Sequence, residues 1–176
     1  MSDHFCSDDS SRVFPQEGRI AAVDFGTVRI GLAICDPDWI LASPLEVHSA
    51  ASDEADEERY WRELVRRERI VAFVVGLPVH CDGGESQKSL ECREFAKNLR
   101  QQTDLPVRLF DERFTTAAAK QRLRSGKLSR QKKKKKLDAV AALVMLESFI
   151  EATRYHGRIA GVDLESPPTG ADALDE

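Results

Sequence analysis

One acid constrains this chain more than any other residue. The run Ile20-Ala21-Ala22-Val23-Asp24-Phe25 is apolar except for Asp24 and is closed by Gly26. A short, continuous apolar run stopped by a turn residue predicts a buried strand. Asp24 then sits partly buried, and a buried carboxylate requires a cation or hydrogen bonds. Whether that partner is structural or catalytic stays open at this point.

The rest of the chain supplies the layers. Arg29–Cys35 alternates weakly and predicts a hairpin back onto the first strand, and Ile40–Val47 predicts a third strand, with Pro44 near an edge or a bulge. Ser52–Arg69 carries Trp61, Leu64 and Val65 at helical spacing, with Ser52 or Asp53 as cap. Ile70–Val75 reads as a central strand stopped at Gly76-Leu77-Pro78, and Glu85–Gln102 as a helix with Cys92, Phe95, Ala96 and Leu99 on one face. A strand over Leu105–Phe110, a helix over Thr115–Arg124, a basic loop over Ser125–Lys136 and a buried helix over Leu137–Ala152 follow. The expected fold is α/β: one mixed five-stranded sheet with helices on both faces. A chain of 176 residues has room for one such domain, expected over residues 19–153, between a flexible leader (1–18) and an acidic, disordered tail (154–176).

Composition narrows the compartment and the partner. Hydrophobic residues make up 41% and charged residues 32%, as in a soluble globular protein. No apolar run approaches the roughly 20 residues of a membrane span, and the polar, acidic first ten residues lack the pattern of a signal peptide. The cytoplasm is the default expectation. Cys6, Cys35, Cys81 and Cys92 contain no Cys-x-x-Cys pair and read as reduced thiols, and His80-Cys81 has no second pair at zinc-finger spacing. The net charge of −4 conceals an asymmetry. From Arg113 to Lys136 there are eleven basic residues and no acid, whereas after Arg158 there are five acids and no base. One intensely basic segment in an acidic chain fits a polyanionic partner held at one place.

Four acids stand at element ends. Asp24 is near the end of the first strand, Asp111 and Glu112 follow the last expected strand, and Asp138 opens the last expected helix. Singly, each has a plain explanation: Asp138 as a carboxylate at a helix N-terminus, Asp111 and Glu112 as solvated turn residues. Together they suggest a site, because ligands of open α/β sheets collect at the carboxyl ends of parallel strands. Three carboxylates are hard oxygen donors suited to Mg²⁺ or Mn²⁺. Two such ions, about 3.5–4 Å apart, suit phosphodiester cleavage. Gly26, Thr27, Gly76 and Gly83 are candidates for a backbone rim that a phosphate could approach closely, though each could merely form a turn. Arg29 and Arg113 could neutralise a phosphate or serve as ion-pair partners. Lys132, Lys133, Lys134, Lys135 and Lys136 read either as a clamp on the nucleic-acid backbone or as a solvated linker.

Four stretches carry a resemblance: Val-Asp-Phe-Gly-Thr-Val-Arg-Ile-Gly-Leu-Ala (23–33), Val-Gly-Leu-Pro-Val-His-Cys-Asp-Gly (75–83), Asp-Glu-Arg-Phe-Thr-Thr (111–116) and Leu-Asp-Ala-Val-Ala-Ala (137–142). In this order they resemble the YqgF/RuvX family, proposed Holliday junction resolvases or pre-16S rRNA nucleases, over roughly residues 19–153. The resemblance implies an RNase H-like fold and divalent-metal-dependent phosphodiester hydrolysis. It places the catalytic and metal-binding acids on Asp24, Glu112 and Asp138, with Asp111 second to Glu112. His80-Cys81 departs from the family's more usual Asn-Met-like pair, and the five-lysine run is more basic than is typical.

Other readings fit less well. Asp-x-Gly-Thr is also a phosphate-loop pattern of actin-like and sugar-kinase ATPases, but those duplicate the domain and no second copy of the motif occurs here. Asp24-Phe25-Gly26 lacks the other protein-kinase motifs. A non-catalytic nucleic-acid-binding module would gain nothing from three carboxylates beside a polyanion. RNA and DNA are not distinguished by any base-reading element; processing of the 5′ end of pre-16S rRNA is preferred on the resemblance, with a branched-DNA resolvase as the alternative. A resolvase is expected to act as a homodimer, since a junction presents two equivalent strands.

Overall fold

The computed structural model describes residues 13–51, 53–78, 86–111 and 130–166, and for 130–137 the backbone alone. Its strands are β1 (Arg19–Asp24), β2 (Arg29–Cys35), β3 (Ala42–Ser49), β4 (Ile70–Leu77), β5 (Val107–Asp111) and β6 (Val162–Asp163). Its helices are α1 (Glu54–Glu68), α2 (Gln87–Thr103) and α3 (Arg130–His156). The strands form one sheet in the order β3-β2-β1-β4-β5-β6. β1, β4 and β5 run parallel, while β2, β3 and β6 each pair antiparallel to a neighbour.

Strand alternation sorts the core into two layers. Ala21, Val23, Phe73, Val75 and Leu109 face α1 and α2, where they meet Trp61, Leu64, Ala96 and Leu99. Ile20, Ala22, Ala72, Val74 and Phe110 face α3, where they meet Ala142, Met145, Leu146 and Phe149. This is the two-sided burial that the apolar runs of β1 and β4 require.

Local chemistry fixes the element ends. Asp53 caps α1 by accepting from the Ala55 N–H at 2.9 Å, and Arg69 ends the helix in the left-handed region at φ 56°. Ser86 and Ser89 cap α2 reciprocally, and the Ser89 hydroxyl also donates to the Pro78 carbonyl, tying the start of α2 to the exit of β4. β3 is one of the two edge strands, with a register irregularity next to Pro44. It is fastened to α1 by His48 Nε2 on Glu57 (2.9 Å) and by the Tyr60 hydroxyl donating to Glu46 (2.6 Å). Burial, then the Glu46 carboxylate, holds the Tyr60 phenol far above its ordinary pKa, so it remains a donor.

Three expectations are corrected. The sheet has six strands, because the segment expected as a disordered tail returns as β6. Gly161 (φ +74°) makes this pairing feasible, since a Cβ there would strike the Leu109 carbonyl. Leu164 is buried in the core, and Arg93, Arg100 and Arg108 reach Ser166, Glu165 and Asp163 respectively. At the other end, Phe14, assigned by sequence to the leader, is buried edge-on against Phe149. Finally, the lysine run is not a loop. α3 begins at Arg130, so Lys132–Lys136 lie on its first turns and Asp138 lies inside the helix rather than at its start. Lysine is a good helix former, and neither Gly nor Pro interrupts 130–156. The expected helix over Thr115–Arg124 lies outside the described residues.

Candidate active site

Asp24 is the last residue of β1 and is half-buried. It follows Ile20 and Ala22 in the alternation, so its side chain belongs to the α3 face. Across the ladder its partner is Gly31 of β2. Gly31 is where α3 comes closest to the sheet: a Cβ there would overlap the main-chain carbonyl of Asp138. A glycine in the middle of a strand thus seats the backbone of Asp138 beside Asp24. Sequence reasoning misses Gly31 as a site residue, although a glycine inside a strand pattern is itself a signal of close backbone approach.

Arg29, two residues earlier on the same face of β2, holds the Asp138 carboxylate through Nε at 3.3 Å from Oδ2. That oxygen is otherwise buried without a hydrogen-bond partner. Geometry therefore gathers Asp24, Asp138 and Arg29 at the carboxyl end of β1, where the sheet is parallel to β4 and β5.

Asp111 ends β5, two strands away, with Leu77 of β4 opposite it. In the alternation it follows Val107 and Leu109, so it belongs to the α1–α2 face, opposite to Asp24. Gly76, buried on β4, leaves the α3 face between β1 and β5 without a side chain at that level. Glu112, Arg113 and Gly83 lie outside the described residues, as do the side chains of Lys132–Lys136. Gly26 is required by the β1–β2 turn itself, since a Cβ would meet the Arg29 carbonyl at 2.6 Å, and Thr27 is exposed in the same turn.

Among the described residues no group of three or more His, Cys, Asp or Glu side chains is gathered closely enough to hold a metal ion. Asp24 and Asp138 are two carboxylates in reach of one region. The buried Asp138 Oδ2, facing only a cation, is a donor of the kind a hard divalent ion takes. The donor set therefore fits such an ion in part. Among the described residues no helix is long and apolar enough to cross a membrane.

Comparison with known proteins bears on this geometry. A family profile described as "RuvX: Holliday junction resolvase" matches residues 18–152. A protein of Rhodopirellula baltica proposed as a pre-16S rRNA nuclease is 60% identical over 163 residues, covering 93% of each chain. A Corynebacterium jeikeium protein of the same description is 41% identical over 141 residues, covering 80% of this chain and 90% of the other. Among solved structures, Thermus thermophilus RuvC in complex with a Holliday junction superposes with a TM-score of 0.52 at 14% identity, covering 82% of this chain and 99% of that one. At that identity the likeness is one of fold, and it places the sheet and its helices in the RNase H-like class.

Proposed function

The chain belongs to the RuvX family, and from that premise we propose that it is a divalent-metal-dependent nuclease that hydrolyses phosphodiester bonds in maturing the 5′ end of pre-16S rRNA. The observation that carries the reading is the seating of Asp138 beside Asp24 by Gly31, with a buried carboxylate oxygen turned to a cation. The substrate is taken from relatives proposed as pre-16S rRNA nucleases.

Asp24 and Asp138, with Glu112, would hold Mg²⁺ or Mn²⁺. Glu112 is preferred to Asp111 because Asp111 belongs to the wrong face of the sheet. When bound, such an ion polarises the phosphoryl oxygens and eases deprotonation of the attacking water. The chain's own residues do the rest. Asp24 and Asp138 fix the centre on a strand end and a helix rather than on loops, which limits its drift. Arg29, once its partner carboxylate is engaged elsewhere, is placed to meet a phosphate oxygen with a planar, always-charged group. Lys132–Lys136 and Arg113 supply a sequence-independent hold on the backbone. A binding module without chemistry would gain only repulsion from Asp24 and Asp138 beside a polyanion.

A second reading, cleavage of a four-way DNA junction, is favoured by the description of the matching family. The two separate in one assay: a 5′-extended 16S rRNA precursor and a four-way DNA junction, each incubated with the protein and Mn²⁺ or Mg²⁺. Cleavage of the precursor is expected. Cleavage of the junction alone moves the protein to the second reading, and cleavage of neither removes both.

A further inference from the structure

We propose that the β5 edge of the sheet carries a second binding site for a nucleic-acid backbone, formed by Lys97, Arg100 and Arg108, and that residues 162–166 are an acidic strap which occupies it until the nucleic acid displaces them. The proposal rests on the reading of the protein as one that acts on a nucleic acid. The basic residues come from two elements. Arg93, Lys97 and Arg100 follow one another at helical spacing on one face of α2, a row about 10 Å long. Arg108 lies on β5, with its guanidinium 6.0 Å from the centre of the Phe14 ring. The segment laid over them is acidic and has no base after Arg158. Arg100 Nη1 meets Glu165 Oε1 at 3.0 Å, and Arg108 Nη1 meets Asp163 Oδ1 at 3.4 Å. Arg93 and Arg108 also donate to the Ser166 and Gly161 carbonyls, each at 3.3 Å.

Two features set this arrangement apart from plain closure of a sheet edge. The first is the charge placed beneath the strap. Arg108 is largely covered and its Nε is buried with no hydrogen-bond partner. Closing an edge does not call for buried guanidinium groups, since apolar side chains close it as well or better. The second is how lightly the strap is held. β6 is two residues long, and Leu164 is the one buried side chain of the strap. Asp163 and Glu165 are 61% and 74% exposed, and ion pairs made by such exposed acids contribute little. A segment fastened this way opens locally far more readily than the core. Position selects the occupant. Ser89 ties the start of α2 to Pro78 at the exit of β4, so the basic row runs from the sheet edge toward the carboxyl ends of the strands, where Asp24 stands. A backbone held on Lys97 and Arg100 is led to the catalytic end by sequence-independent contacts. An acidic peptide matches the same charges without that continuity.

The test uses the full chain and a fluorescein-labelled RNA spanning the 5′ end of 16S rRNA and its leader, without added divalent ion so that the RNA stays whole. With saturating RNA, the amides of residues 162–166 should exchange hydrogen faster than in the free chain, read by mass spectrometry. Asp163→Asn/Glu165→Gln should bind the RNA about fivefold more tightly, the scale of one exposed ion pair no longer opposing it. Adding Lys97→Gln/Arg100→Gln should remove the gain. The matched control is Asp56→Asn/Glu58→Gln, which neutralises two acids paired with Arg59 and Arg62 on α1, and it should bind as wild type does. Exchange of the strap unchanged or slowed by RNA, an equal gain in the control, or a gain that survives the loss of Lys97 and Arg100 overturns the proposal and leaves the nuclease reading standing. RNA that binds no form of the chain overturns both. Poly-glutamate that speeds exchange of the strap as RNA does makes the row a peptide site and overturns the proposal as well.

Discussion

At the scale of single residues, the site turns on the pair Arg29–Asp138. Arg29 occupies the position a cation would take against Asp138 Oδ2, at 3.3 Å, and the two side chains are 28% and 29% exposed. In the proposed function the guanidinium would compete with the metal for Asp138 and stand in reserve for the phosphate. Arg29→Gln should bind Mn²⁺ more tightly than wild type in calorimetry. It should bind nucleic acid less tightly, with a salt slope shallower by about 0.7–0.9, the value for one neutralised phosphate. Weakened Mn²⁺ binding would mean that Arg29 orients Asp138 rather than competing for it. Asp24 is legible in the sequence because an acid in an apolar run is costly without a partner. The Arg29–Asp138 pair is not, because it joins residues 109 positions apart and exists only once α3 packs on β2.

At the scale of elements, the decisive contact is α3 on β2. Gly31 removes the one Cβ that would hold the helix off the sheet at Asp138. Gly31→Ala inserts that atom against main chain, which cannot rotate away as a side chain could. The expected cost is about 1–3 kcal/mol of stability, as for other overpacked sites, read by urea denaturation. Cleavage at temperatures where the variant remains folded should fall as well, because Asp138 is displaced. An unchanged stability would contradict the seat. Periodicity makes β1, β2, β4, α1 and α2 legible, and Asp53 is one of the two caps read for α1; the Ser86 cap of α2 is seen only in the structure. It misjudges α3, because a lysine run at the positive end of a helix opposes the macrodipole and reads as a loop. It also misses β6, whose two residues are too few for any period; Leu164 and three arginines from α2 and β5 hold that strand.

At the scale of the molecule, the chain is polarised. The carboxyl ends of β1, β4 and β5 carry Asp24 and Asp111, and the lysine-bearing first turns of α3 lead into Asp138. The opposite end of β1 carries the β2–β3 turn, where Ile40 and Leu41 are exposed. Sequence reveals the charge asymmetry but not this polarity, since the placement of the basic segment depends on where α3 lies. Replacing Lys132–Lys136 with Gln should weaken nucleic-acid binding across all sequences and flatten its salt dependence. The slope should fall by about 0.7–0.9 for each phosphate that the lysines no longer neutralise. Binding unchanged at every salt concentration would make the run a solvated helix end and nothing more.

The central claim is that Asp24 holds a divalent ion against a scissile phosphate. Asp24→Asn keeps the size of the side chain and one acceptor oxygen, and removes its charge. With the 5′-extended 16S rRNA precursor and Mn²⁺ or Mg²⁺, the account predicts that the variant folds and binds the precursor as wild type does. Its cleavage should be slower by roughly a hundredfold or more, the scale on which removing one charge-stabilising group acts. A variant that cuts as fast as wild type would contradict the account.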